Sequence, residues 1–247
     1  MIIEEAAYRS RLRRVDTPAK GIATLAGITA AFLSPEPVTC GGIATLFAMV
    51  TIWGGGIGLS SYLRAFLPPL SFLLIGSLSL LVSLDPSSPF WVTIDPGGED
   101  RLLVTTSRAI ATLSTLIFLS LTTPMTDLAA LARRIGVPET LVEIMTVAYR
   151  MIFVFLDTFH DIRTAQSARL GYADLFRSVH SARTAVAALA TRVFMRAAEL
   201  SRGAEARNLD VELRGLSPTA PHPFRDRIIA ITASILLIST VAIGRRG

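Results

Sequence analysis

The stretch PVTCGGIATLFAMVTIWGGGIGLSSYL, residues 37–63, carries no charged side chain over 27 consecutive positions. A helix that crosses a bilayer needs about 20 mostly apolar residues, with a range of roughly 17–25. Four further uncharged runs lie at 21–35, 65–84, 109–125 and 228–244. Those at 65–84 and 228–244 have spanning length, and those at 21–35 and 109–125 reach it by taking in flanking residues. Hydrophobic residues make up 51% of the 247-residue chain and charged residues 17%, which argues against one or two ordinary soluble domains. The expected fold is all-α: a polytopic helical membrane protein with amphipathic helices on its cytoplasmic side.

Charge sets the topology. The net charge is +5, and Lys20 is the sole lysine. No nucleic-acid reading motif accompanies the arginines, so the basic excess is assigned to cytoplasmic loops and not to nucleic acid. Arg9, Arg11, Arg13 and Arg14 precede the first run and put the N-terminus in the cytoplasm. Spans are expected at 19–33, 38–59, 66–84 and 102–122, with a last span at 228–244. Gly54-Gly55-Gly56 and Gly58 are read as close-packing positions inside the second span. Arg64 is placed in an inner loop, and Pro68-Pro69 near the beginning of the third span, where proline costs least. Residues 85–100 hold four acids and no base; they form an irregular outer loop with Phe90 and Trp91 at the interface. Arg108 is expected to snorkel to the headgroups.

Four crossings bring the chain back to the cytoplasm at Pro124. Thr122-Thr123-Pro124 ends one helix and starts a short amphipathic one at 127–135, which Gly136 stops. A long helix follows at 139–170. Its middle, 144–159, is mostly apolar but contains Arg150 and Asp157. A crossing there would put residues 161–226, with ten arginines, on the outside. It is therefore read as a non-crossing helix, which leaves five spans where a crossing would make six. Arginines alternate with an apolar face over 181–207, and prolines break the chain at 216–223. The expected division is a cytoplasmic arm at 1–20, transmembrane helices at 21–123, a cytoplasmic or interfacial region at 124–226 and a C-terminal span at 227–247.

Residues able to carry chemistry are few. His160, His180 and His222 are scattered, Cys40 is single, and no pair has metal-ligand spacing. Asp95, Glu99 and Asp100 read as solvated turn carboxylates. Two short echoes stand out in the arginine-rich segment: Ala168-Arg169-Leu170 and Ala206-Arg207-Asn208. Gly171 is expected to end the first helix, and Asn208 accepts the left-handed conformation that ends the second. Each arginine then lies in a last helical turn. It either complements the helix dipole or presents its planar fork to a partner's carboxylate.

At these residues the chain resembles the transmembrane coupling component of energy-coupling factor (ECF) transporters, and in particular the cobalt-transport CbiQ family. The resemblance spans nearly the whole chain. It rests on the arm Ala7-Tyr8-Arg9-Ser10-Arg11-Leu12-Arg13-Arg14-Val15, and on Ser88-Pro89-Phe90-Trp91 with Asp95-Pro96-Gly97-Gly98. It rests further on Leu121-Thr122-Thr123-Pro124-Met125-Thr126-Asp127-Leu128, on Arg133-Arg134-Ile135-Gly136-Val137-Pro138, and on the two echoes, which hold the places of Ala-Arg-Gly motifs. Leu170 and Asn208 depart from the third-position glycine. The resemblance implies a non-enzymatic subunit in a bacterial inner membrane. It would join two ABC-type ATPases, docked at Arg169 and Arg207, to a membrane-embedded metal-binding component. ATP and Mg would belong to the ATPases, cobalt (or nickel) to that component, and no cofactor to this chain. Two other readings compete: a self-sufficient secondary metal transporter or channel, which needs paired polar groups at mid-membrane, and a membrane enzyme using Asp95.

Overall fold

In the computed structural model, residues 2–34, 36–79, 82–83, 93–94, 98–206 and 223–244 are described. The chain forms two compact units: Met1–Leu131 with Ser217–Gly247, and Ala132–Leu216. The first holds α1 (Ile2–Arg9), a 3-10 turn (Arg11–Arg14), α2 (Thr17–Leu33), α3 (Pro37–Met49), α4 (Leu59–Leu78), α5 (Gly98–Thr122) and α9 (Pro223–Gly244). The second holds α7 (Glu139–Ala168) and α8 (Leu175–Ala206), and α6 (Met125–Arg134) runs across the boundary in sequence. A two-residue antiparallel pair, β1 (Val82–Ser83) with β2 (Thr93–Ile94), is the one departure from helix among the described elements.

Three helical stretches among the described residues are long and apolar enough to cross a membrane: Pro37–Gly54, Leu59–Leu78 and Gly98–Thr122. Burial in the first unit suits a lipid solvent. Leu25, Phe32, Val38, Trp53, Phe72 and Ile75 point outward, while Thr51, Ser114, Thr115 and Thr122 are buried. The buried threonines are satisfied locally. Thr51 and Thr122 each donate a 2.6 Å hydrogen bond to the carbonyl one turn back, on Phe47 and Phe118. This is a membrane protein.

α5 packs against α1, α2, α3 and α4, and α2 also packs against α9. The core combines Ala30, Ala31, Cys40, Ile43, Ala44, Ala111 and Val241 with an edge-on Phe47–Phe118 pair, centroids 5.4 Å apart. Small residues let the helices approach closely. At Gly27, an added Cβ would lie 2.5 Å from Thr115 Cγ2 and 2.6 Å from Phe47 Cε2.

α2 and α5 are tied at both ends by charge. The last carbonyls of a helix lack intrahelical donors. Lys20, in the first turn of α2, is buried and donates from Nζ to the Thr122 carbonyl that ends α5, at 2.9 Å. Arg108, about three turns into α5, donates from Nη2 (2.9 Å) and Nε (3.2 Å) to the Ser34 carbonyl that caps α2. The ends of the arm and of α9 close the same region. Buried Asp16 pairs with Arg227, and its backbone N–H donates to Asp226 Oδ2 at 3.2 Å.

Several sequence expectations are corrected. The second span ends at Gly54, not at 59, because the glycines form a turn. Gly55 N–H closes onto Val50 O, Gly56 has φ +65°, and Arg11 N–H donates to Gly55 O at 3.0 Å. A Cβ on Gly55 would sit 2.5 Å from Thr51 O, so this turn needs its glycine. Arg64 lies inside α4, which begins at Leu59; Pro68 and Pro69 are therefore interior to that helix. Residues 82–83 belong to β1 and not to the third span, and α5 begins at Gly98, with Glu99 and Asp100 in its first turn, where acids complement the dipole. The Arg108 guanidinium binds Ser34 O, a partner within the chain that was not anticipated. Phe90, Trp91 and Asp95 lie outside the described residues.

Two outcomes test this packing. Gly27→Leu overfills the α2–α3–α5 contact and is expected to destabilise the detergent-solubilised chain by about 1–3 kcal/mol in thermal unfolding. Lys20→Met removes the donor to Thr122 O and leaves buried Asp16 and Asp127 without their nearby ammonium. A loss of about 2–3 kcal/mol is expected. Wild-type melting by either variant would remove the corresponding constraint.

Candidate functional site

α7 forms because 139–168 contains neither glycine nor proline and alternates an apolar face with charged residues. It is preceded by the left-handed Gly136 (φ +90°), which ends α6, and by Pro138, which caps it. Its C-terminus carries the first echo. Gly171 N–H reaches back to Gln166 O at 2.9 Å, and Leu170 N–H to Ser167 O at 3.0 Å. This six-to-one and five-to-two pattern is a Schellman end, in which one residue must be left-handed. That residue is Leu170, at φ +56°. Gly171 was expected to take the role, so this is a correction. For a residue with a Cβ the conformation costs roughly 1–2 kcal/mol.

Gly171 has a different task. A Cβ there would lie 2.6 Å from Ser181 Oγ and 2.9 Å from Gln166 O. The missing side chain lets the end of α7 close onto the second turn of α8. Ser181 Oγ donates to Gly171 O at 2.8 Å, Gln166 Nε2 donates to Ser181 O at 2.9 Å, and Tyr172 Oη donates to Gln166 Oε1 at 2.7 Å. Ser181 and Ala185 are buried in this junction. Asp174 begins α8, its Oδ1 accepting from Leu175 N at 2.7 Å.

On this fixed corner Ala168, Arg169 and Leu170 all face outward. The Arg169 guanidinium makes no hydrogen bond or ion pair among the described residues, and Leu170 is 66% exposed. α8 then carries the chain away. Its 32 residues, at ~1.5 Å each, span about 48 Å. It ends at Ala206, which is exposed; Arg207 and Asn208 lie outside the described residues. Of the two echoes the structure therefore places the first whole, at the end of α7, and of the second only Ala206, the last residue of α8.

The remaining candidates contribute little. Arg150 and Asp157 are exposed on α7 and form no ion pair among the described residues. His160 and His180 lie on separate helices, and His222 is outside the described residues. Among the described residues no group of three or more His, Cys, Asp or Glu could hold a metal ion. The sequence reading missed the Gln166–Gly171–Ser181–Tyr172 junction; its available signal was a glycine just past a helix end, with a serine ten residues on. It also missed an open apolar groove on α8 lined by Leu175, Phe176, Val179, His180 and Arg183.

A model of a family described as cobalt transport protein, CbiQ, matches residues 9–214, which include both echoes. The chain belongs to the CbiQ cobalt transport family. Over 188 residues it is 34% identical to "Cobalt transport protein CbiQ" of Rhodobacter capsulatus, covering 75% of this chain and 76% of that one. Over 221 residues it is 28% identical to the protein of the same name from Salmonella typhimurium, covering 85% and 96%. A "Putative fused cobalt transport protein CbiMQ" of Methanocorpusculum labreanum is 27% identical over 180 residues, 69% of this chain and 30% of the fused one.

The junction yields a stability prediction. Gly171→Ala puts a methyl against Ser181 Oγ and the Gln166 carbonyl. It should destabilise the α7–α8 corner by about 1–3 kcal/mol, seen as faster amide exchange at residues 166–172 and 178–182. Unchanged exchange there would show that the close approach is dispensable.

Proposed function

We propose that this chain is the transmembrane coupling subunit of an ATP-driven, ECF-type cobalt importer in a bacterial inner membrane. In this reading the arm at 1–20 and the region 124–226 are cytoplasmic, 21–123 and 227–247 are membrane-embedded, and α7 does not cross. Two cytoplasmic ABC-type ATPases dock at the ends of α7 and α8, through Ala168-Arg169-Leu170 and Ala206-Arg207-Asn208. A membrane component carries the cobalt. Nucleotide and Mg belong to the ATPases, and this chain is non-catalytic.

One observation carries the reading. Arg169 sits at a helix end locked by the Gly171–Ser181 closure, exposed and without a side-chain partner among the described residues. An arginine held in place but unpaired is ready for bidentate pairing with a carboxylate, a use that a planar guanidinium serves better than lysine. The length of α8 supports separate docking of two subunits over a single shared contact. Closure of an ATPase pair would shift or tilt α8 as a unit, and rigid helices transmit such displacements well. Membership in a cobalt transport family supports the substrate, and the fused relative's name supports a membrane partner. The self-sufficient transporter is less well supported: Arg108, a charge within an apolar span, is occupied by Ser34 O.

The test is a pull-down from detergent of the full complex carrying Arg169→Glu together with Arg207→Glu. Loss of the ATPases, with the membrane component retained, is the expected result. Undiminished co-purification would reject docking at these ends. Metal uptake by the chain alone in ATP-free liposomes would move the assignment to a secondary transporter.

A further inference from the structure

We propose that Leu170 is an apolar anchor for the docked ATPase, kept at the expense of this chain's own stability. The inference rests on the docking reading above and deepens it by naming a second contact of different chemistry beside Arg169.

Leu170 is unfavourable here on two separate grounds. Its φ of +56° is a conformation that glycine adopts freely and a side chain bearing a Cβ resists. Its side chain is also 66% exposed, so packing within the chain does little to offset the strain. The Schellman closure itself needs only backbone: its two hydrogen bonds run from Leu170 N and Gly171 N to the carbonyls of Ser167 and Gln166. Glycine would satisfy both. What leucine adds is an apolar side chain at a fixed position, adjacent in sequence to a guanidinium with no partner among the described residues.

Strained residues held by well-determined surroundings point to a use outside the fold. The surroundings here are well determined, since Gln166, Gly171, Ser181 and Tyr172 fix the corner by hydrogen bonds. The start of α8 adds exposed Leu175, Phe176 and Val179, with Arg177 and Arg183 between and beyond them. Apolar side chains interleaved with exposed arginines complement an apolar pocket with an acidic rim. The occupant is therefore an ATPase subunit offering such a pocket, with Leu170 inserted and Arg169 paired at its edge. Desolvated apolar anchors beside a charged pair are typical of residues that dominate an interface.

The proposal makes stability and binding move in opposite directions. The full chain is reconstituted in nanodiscs with the membrane component, and affinity for the purified ATPases is measured alongside thermal unfolding. Leu170→Gly is expected to raise the unfolding midpoint and weaken ATPase binding by about tenfold or more. Leu170→Asn, which tolerates the same backbone but is polar, should behave alike. Leu170→Met, which keeps an apolar side chain, should stay within a few-fold of wild type. Wild-type affinity for Leu170→Gly would overturn the anchor, and so would a lowered midpoint, since the weaker binding would then reflect a damaged corner. If Arg169→Glu with Arg207→Glu still releases the ATPases, only the anchor has failed. If that pair also binds normally, the docking reading has failed with it.

Discussion

Two cations, buried Lys20 and half-buried Arg108, hold the membrane-embedded unit in register. Lys20 at the start of α2 reaches the carbonyl ending α5, and Arg108 near the middle of α5 reaches the carbonyl closing α2. A helix end in an apolar medium leaves carbonyls that water cannot reach, and each must be satisfied by protein. An ammonium or guanidinium in the same medium needs an oxygen partner. Each deficiency answers the other, once at either end of the pair. The antiparallel pairing of α2 and α5 follows, and the close contact at Gly27 is set by it. Apolar packing alone would not fix the sliding of two such helices, because lipid tails are as apolar as the side chains between them.

Uncharged runs were enough to locate the helices, since a bilayer demands length and few charges and little else. Boundaries were harder to read where one residue type has two uses. Gly54-Gly55-Gly56 suits both a packing seam and a turn; the hydrogen bond from Arg11 N–H to Gly55 O, 44 positions away in sequence, decides for the turn. Moving that boundary brought Arg64 into α4 and made Pro68-Pro69 interior. The partner of Arg108 was not legible for a related reason: its acceptor, Ser34 O, comes from a helix 74 positions earlier.

The candidate site was legible to a similar depth. That Arg169 lies at a helix end follows from Gly171 and the broken pattern after it. Which residue turns left-handed does not follow, because local preference favours the glycine. The choice is tertiary: Gly171 is needed where Ser181 and Gln166 leave no room for a Cβ, so the backbone reversal falls one position earlier, on Leu170. In the CbiQ family resemblance that position corresponds to the glycine of an Ala-Arg-Gly motif. Leu170 takes a backbone conformation there that glycine adopts freely, and adds a side chain.

The pairing of Asp16 with Arg227 has a bearing on synthesis. The unit it closes is interrupted in sequence: residues 132–216 form the other unit and are made before α9. Asp16 is thus translated 211 positions ahead of its partner, and α2 with one flank facing the place of α9. During that interval the Asp16 carboxylate lacks Arg227, and the α2 face that packs on α9 lacks its final neighbour. The growing polypeptide needs a stand-in, from lipid, translocon or insertase, until its last helix emerges. Truncation before residue 227 would leave that temporary arrangement permanent.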